Sequence, residues 1–127
     1  MRVLLDTHVL LWYLSSDPKL SEKAKDIIAD KSNNCYFSLA SLWEIVIKLD
    51  LNKLRLPMPF EKFIDHLTSK DFQILPIQLA DLKVLQGLPA YHRDPFDRIL
   101  IAQAIQENIP VISADQYFNA YAIPIIW

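Results

Sequence analysis

Short runs of branched and aromatic apolar residues alternate with longer segments of helical period along the whole chain. Residues 2–6, 34–38, 72–77, 110–113 and 122–127 have the composition of strands. Between them, residues 7–14, 21–31, 38–51, 59–70, 79–85 and 95–108 carry apolar side chains at the three- and four-residue spacing of helices. This alternation predicts an α/β fold in which a parallel sheet is covered by helices on both faces. No repeat, low-complexity tract or Gly/Ser linker interrupts the pattern, and 127 residues suit one domain spanning 1–127.

Hydrophobic residues make up 52% of the chain, enough for a real core and too many for a disordered segment. No apolar run approaches the roughly 18 residues needed to cross a bilayer, so a soluble protein with no membrane role is expected. Met1-Arg2-Val3-Leu4-Leu5 is broken by Asp6 and His8 before a signal segment can form, and reads as a strand. Cys35, the single cysteine, excludes an internal disulfide and a multi-cysteine zinc cage. It suits a reducing, cytoplasmic setting and a buried position. A net charge of -2 provides no general polybasic surface, so nucleic acid would have to be held by local positive patches and by metal. With Gly87 as the one glycine, neither a phosphate-binding loop nor a dinucleotide fingerprint can be built, and Gly-x-Ser-x-Gly is absent.

Four acids stand in apolar surroundings. Asp6 ends the run Val3-Leu4-Leu5, Glu44 lies within Leu42-Trp43-Glu44-Ile45-Val46-Ile47, Asp97 precedes Ile99-Leu100-Ile101, and Asp115 follows Val111-Ile112. An unpaired buried carboxylate is costly, so several converging at one place call for a cation. In open parallel sheets ligands bind beyond the carboxyl ends of strands where strand order reverses, and Asp6 and Asp115 both follow strands.

Each acid also has a local explanation. Asp6 can cap the helix after it, Ser41 with Glu44 spells a capping box, and Lys48 is placed to pair with Glu44. Asp94-Pro95-Phe96-Asp97 makes a well-formed helix start, and Asp115 can cap a short turn. Asp26, Asp30, Asp65 and Asp81 lie near lysines and read as solvated faces. The three histidines are scattered, which disfavours a histidine-built zinc site, and oxygen ligands suit Mg²⁺ or Mn²⁺ better. Trp12, Trp43 and Tyr91 are expected to pack in the core, with base stacking as the alternative.

Four segments taken together carry a resemblance. They are Leu5-Asp6-Thr7-His8-Val9-Leu10-Leu11-Trp12, Ser41-Leu42-Trp43-Glu44-Ile45 with Lys48, His92-Arg93-Asp94-Pro95-Phe96-Asp97-Arg98-Ile99-Leu100-Ile101-Ala102-Gln103-Ala104, and Ile112-Ser113-Ala114-Asp115. In this order they resemble the PIN-domain family, in particular the VapC-type toxin ribonucleases of prokaryotic toxin-antitoxin pairs. The likeness covers nearly the whole chain, and 92–104 is its most specific part. It implies a three-layer sandwich around a parallel five-stranded sheet whose first and fourth strands are adjacent. By motif position it implies that Asp6, Glu44, Asp97 and Asp115 are the catalytic, metal-holding acids, with Asp94 a candidate fifth and Thr7 and Ser113 in support. One departure is Asn52-Lys53-Leu54, where the family often has Gly-Lys-Leu; Asn tolerates the left-handed turn nearly as well.

The resemblance further implies an Mg²⁺- or Mn²⁺-dependent endoribonuclease that cleaves RNA without a covalent enzyme intermediate. A homodimer and a cognate antitoxin that blocks the acidic crevice are implied as well. Lys48, Arg93 and Arg98 are candidates for holding RNA phosphates, against ordinary ion-pair roles. A catalytically silent binding module is the rival reading, and an aspartyl-phosphate mechanism on Asp6 lacks the second nearby acid it would need.

Overall fold

The computed structural model describes all 127 residues, Met1 to Trp127. The elements in order are β1 (Arg2–Leu5), α1 (Thr7–Ser15), α2 (Glu22–Ala29), β2 (Asn34–Ser38), α3 (Leu39–Asp50), α4 (Phe60–Ser69), β3 (Gln73–Leu75), α5 (Leu79–Gln86), α6 (Pro95–Glu107), β4 (Val111–Ile112), a 3₁₀ helix (Gln116–Ala120) and β5 (Ile125–Ile126). The strands form one parallel sheet in the order β3-β2-β1-β4-β5. The α/β class, the five-stranded parallel sheet and the adjacency of the first and fourth strands thus agree with the sequence.

Alternate residues of β1 feed two cores. Val3 and Leu5 join Val9, Leu10, Ile28, Phe37, Ile45, Phe63 and Leu67 on one face. Leu4 joins Leu100, Ile101, Ala104, Val111 and Phe118 on the other. A strand buried on both sides cannot alternate apolar with polar residues, which is why Val3-Leu4-Leu5 reads as a continuous run. Leu4 is fully buried, and cutting such a leucine to alanine costs about 2–5 kcal/mol.

The strands are shorter than the apolar runs suggest. Pro76 follows β3, Pro110 precedes β4 and Pro124 precedes β5; the carbonyls of Pro110 and Pro124 still accept the Leu4 and Val111 amides, but with no N–H to donate a proline ends the two-sided ladder. Ser21 caps α2, its hydroxyl accepting the Ala24 amide, and Asn52 adopts the left-handed conformation at φ 56° after α3. Two expectations are corrected. Ser38 rather than Ser41 caps α3, accepting the Ala40 amide, because the chain turns into helix directly from β2. Asp81 is buried rather than solvated, since its Oδ2 accepts the Gln78 amide at the start of α5.

Cys35 is buried, and that burial pushes its thiol up to about 11. No helix is long and apolar enough to cross a membrane.

Candidate metal centre

The register of β1 and β4 pairs Leu4 with Val111 and Leu5 with Ile112. The Asp6 amide continues this ladder by donating to the Ile112 carbonyl at 3.2 Å. Asp6 and Ser113 therefore leave the sheet side by side at the point where strand order reverses. The Ser113 hydroxyl donates to Asp6 Oδ2, and the Val9 amide donates to Oδ1 at 2.8 Å. Asp6 thus caps α1 and faces the crevice at once, so its two readings are not exclusive. Burial raises its pKa, and the bonds from Ser113 and Val9 work against that rise.

Ser113 Oγ also accepts the Asp115 amide at 3.0 Å, and Asp115 Oδ1 caps the 3₁₀ helix by accepting the Tyr117 amide. One hydroxyl therefore spaces the two acids that follow β1 and β4.

Glu44 comes in from α3 and is buried. Thr7 Oγ1 lies 2.8 Å from Glu44 Oε1 and 2.9 Å from Ser41 Oγ. With a single proton, Thr7 donates to the carboxylate and accepts from Ser41. Lys48 Nζ meets Glu44 Oε2 at 2.7 Å, one helical turn away.

Asp94 accepts the amides of Phe96 and Asp97 on Oδ1 and caps α6, with Pro95 at the first helical position. Asp97 then points off the helix start toward the other acids. Burial first, and then the negative charges of Asp94, Asp6, Glu44 and Asp115, push its carboxyl up to about 8. Of the acids named from the sequence, Asp97 and Asp115 are brought together through His92, while Asp6, Glu44 and Asp94 act on Asp97 through their charge.

His92 was assigned no role by sequence reasoning and stands at the heart of the cluster. It is buried; its Nδ1 accepts the Asp94 amide at 3.1 Å, which leaves the ring proton on Nε2 by the logic of the hydrogen-bond network. Nε2 lies 2.8 Å from Asp115 Oδ2 and 3.2 Å from Asp97 Oδ2. One ligand atom from each of His92, Asp97 and Asp115 falls within 4.8 Å of the others. The signal available in the sequence was only that His92 lies two residues before the capping Asp94.

Arg98, a candidate phosphate holder, is instead a loop clamp. Its guanidinium donates to the carbonyls of Leu88, Pro89 and His92 and fixes the segment that presents His92. Arg93 is exposed beside the site. Trp43 and Tyr91, expected in the core, are 60% and 57% exposed. Each rests edge-on against one neighbouring ring, Phe96 and Tyr121 respectively, and leaves the rest to solvent.

The residues present fit a hard divalent cation. Lys48 is the one charged group paired with these acids and it serves Glu44 alone, while burial and the neighbouring negative charges hold Asp97 far above the carboxylate range. The donor set is built of carboxylate oxygens, the preference of Mg²⁺ and Mn²⁺. A larger cavity of about 590 Å³ lies at the opposite end of the sheet, by Asn34 and Gln73, away from this chemistry.

The PIN domain profile matches residues 3–124. Ribonuclease VapC22 of Mycobacterium tuberculosis is 23% identical over 124 residues, 96% of this chain and 93% of that protein. Among solved structures, VapBC2 from Rickettsia felis bound to a promoter DNA fragment aligns with a TM-score of 0.70 at 15% identity, covering 99% of this chain and 98% of that one. A toxin-antitoxin complex from Klebsiella pneumoniae aligns with a TM-score of 0.64 at 19% identity, covering 98% and 96%. These structures share the fold.

Proposed function

The chain belongs to the PIN-domain family, and on that premise we propose that it is a metal-dependent endoribonuclease cutting RNA phosphodiester bonds. The observation that carries this reading is the meeting of His92, Asp97 and Asp115, one ligand atom of each within 4.8 Å of the others, at a place where burial and neighbouring carboxylates also push Asp97 up to about 8. Such a set is electrostatically tolerable at neutral pH only with protons or cations among its members, and sites of this kind are typically functional. The 23% identical relative is named a ribonuclease, which supports RNA as the substrate.

Asp6, Glu44, Asp97 and Asp115 would hold the ion or ions, with Asp94, whose Oδ1 caps α6, a candidate fifth. A bound Mg²⁺ or Mn²⁺ supplies the charge that neutralises these carboxylates and the Lewis acidity that activates water toward a phosphodiester. The protein's own part is positioning. Ser113 and the Val9 amide orient Asp6, Thr7 orients Glu44, and His92 orients Asp97 and Asp115. Of the cations named from the sequence, exposed Arg93 remains to meet RNA phosphates, Lys48 being paired with Glu44 and Arg98 engaged with carbonyls.

We also assign the chain a cognate antitoxin, action in the cytoplasm and a homodimeric state. The Klebsiella relative is a toxin-antitoxin complex, which supports the first. Exposed Trp43 and Leu82, lining an apolar cleft with Ile77, Phe96 and Ile99, support the last.

The test is RNA cleavage by the chain and by Asp6→Asn, with Mg²⁺ or Mn²⁺ and with EDTA. Cleavage that needs metal and falls roughly a hundredfold or more in the variant is expected. Undiminished cleavage by Asp6→Asn refutes the assignment. No Mn²⁺ binding by calorimetry would instead favour a silent binding module.

A further inference from the structure

We propose that the cavity walled by Tyr91 and Tyr117 is a nucleobase subsite, receiving a base next to the cleaved bond of single-stranded RNA. This rests on the ribonuclease reading and extends it from the phosphate to its neighbouring base. The cavity has a volume of about 550 Å³ and is lined by Ala90, Tyr91, His92, Arg93, Asp94 and Tyr117. Its size falls among small-ligand pockets, roughly 300–1,000 Å³.

Its position ties it to the chemistry. His92 forms part of its wall, and the Nε2 of the same ring meets Asp115 and Asp97. Asp94 lines it as well. The cavity and the carboxylate cluster are thus separated by one imidazole, so a strand whose phosphate reaches the acids brings the adjoining base to the tyrosines.

The rings are exposed yet held in place. Tyr91 is 57% and Tyr117 64% exposed, while Phe37 and Phe118 are fully buried. Tyr91 packs edge-on to Tyr121 at 5.3 Å, and Tyr121 is fixed in turn, its hydroxyl accepting the His92 amide and donating to the Pro89 carbonyl. Tyr117 lies 5.5 Å from the His92 ring, and its amide is bonded to Asp115. Two aromatic faces offered to solvent with little freedom left to lose suit stacking, because binding then costs little ordering entropy.

Charge completes the match. The exposed Arg93 lines the cavity and can meet a flanking phosphate or lie against a base. With a net charge of -2 the chain has no general polyanion surface, and stacking is a source of affinity that does not require one.

The experiment measures binding of labelled oligouridylate and oligoadenylate by fluorescence anisotropy, with Mg²⁺ present and in the Asp6→Asn background so that nothing is cut. Tyr91→Ala and Tyr117→Ala are each expected to weaken binding about tenfold, while Tyr91→Phe and Tyr117→Phe stay within about twofold, since the face and not the hydroxyl does the stacking. Alanine variants that bind like the parent overturn the subsite, as do phenylalanine variants that lose as much as alanine. Cleavage by the chain with Asp6 intact is followed in parallel. Cleavage together with indifferent tyrosines sinks the subsite alone, whereas RNA left uncut sinks the subsite and the ribonuclease reading together.

Discussion

The Nε2 of His92 lies 2.8 Å from Asp115 Oδ2 while its Nδ1 accepts the amide of Asp94, so one ring joins the cap of α6 to the acid that follows β4. Two carboxylates from different elements are thereby held toward one point before any ion arrives. Removing such an orienting group from a metal site typically costs 10–100-fold in affinity.

His92→Ala should therefore weaken Mn²⁺ binding by roughly tenfold or more, and His92→Gln, which keeps a donor, should weaken it less. Calorimetric titration of the two variants checks this. An alanine variant with parental affinity would leave His92 as a packing residue only.

The metal-free protein should lose stability as pH rises. Asp97 titrates near 8 when folded, against an ordinary value of 3.8. Between these values the folded chain keeps a proton that the unfolded chain has released. The stabilisation is therefore complete below about pH 4, is lost as pH rises toward about 8 and changes no further above it, with a slope of at most about 1.4 kcal/mol per pH unit. Asp97→Asn should remove the part of the slope that Asp97 contributes and leave that of buried Asp6, which urea melts in EDTA will reveal; parallel curves for parent and variant would contradict it. Ion binding must displace the same proton, so metal affinity should climb with pH up to about 8.

Thr7→Val should destabilise the protein by about 1–3 kcal/mol, because it keeps the shape but leaves buried Glu44 Oε1 without its donor. Thr7→Ser should retain most of that stability. Denaturant midpoints decide, and a valine variant as stable as the parent would show that Glu44 draws its support elsewhere.

Leu82→Glu should convert a homodimer to a monomer by placing a charge in the apolar cleft beside Trp43. Light scattering will show whether the mass falls from twice 14.7 kDa to 14.7 kDa. A parent already monomeric, or a variant still dimeric, rules this face out as the contact.

The elements were legible in the sequence because they leave strong local marks. Branched runs set the strands, and Asp94-Pro95-Phe96-Asp97 announces a helix start whose geometry the structure reproduces. His92 left no such mark, since its partners Asp97 and Asp115 are joined to it through the fold and not by any spacing pattern. Arg98 misled for a related reason: a cation near acids suggests phosphate, yet its guanidinium faces backbone carbonyls of a preceding loop that only the fold brings close. Ser41 shows the limit of capping rules: with Glu44 it satisfies a motif on paper, yet the chain's path out of β2 makes Ser38 the cap. Asp81 reads as solvated because a lysine lies near it in sequence, whereas the structure turns it back onto the Gln78 amide at the start of α5.

The pairing of β1 with β4 sets Asp6 beside Ser113, 107 positions further along the chain. During translation Asp6 emerges long before the residue whose hydroxyl will hold it. A nascent polypeptide halted before β4 carries Asp6, Glu44 and Asp97 without Ser113 and Asp115, so Asp6 has yet to gain its hydroxyl donor and the group of acids is still one short.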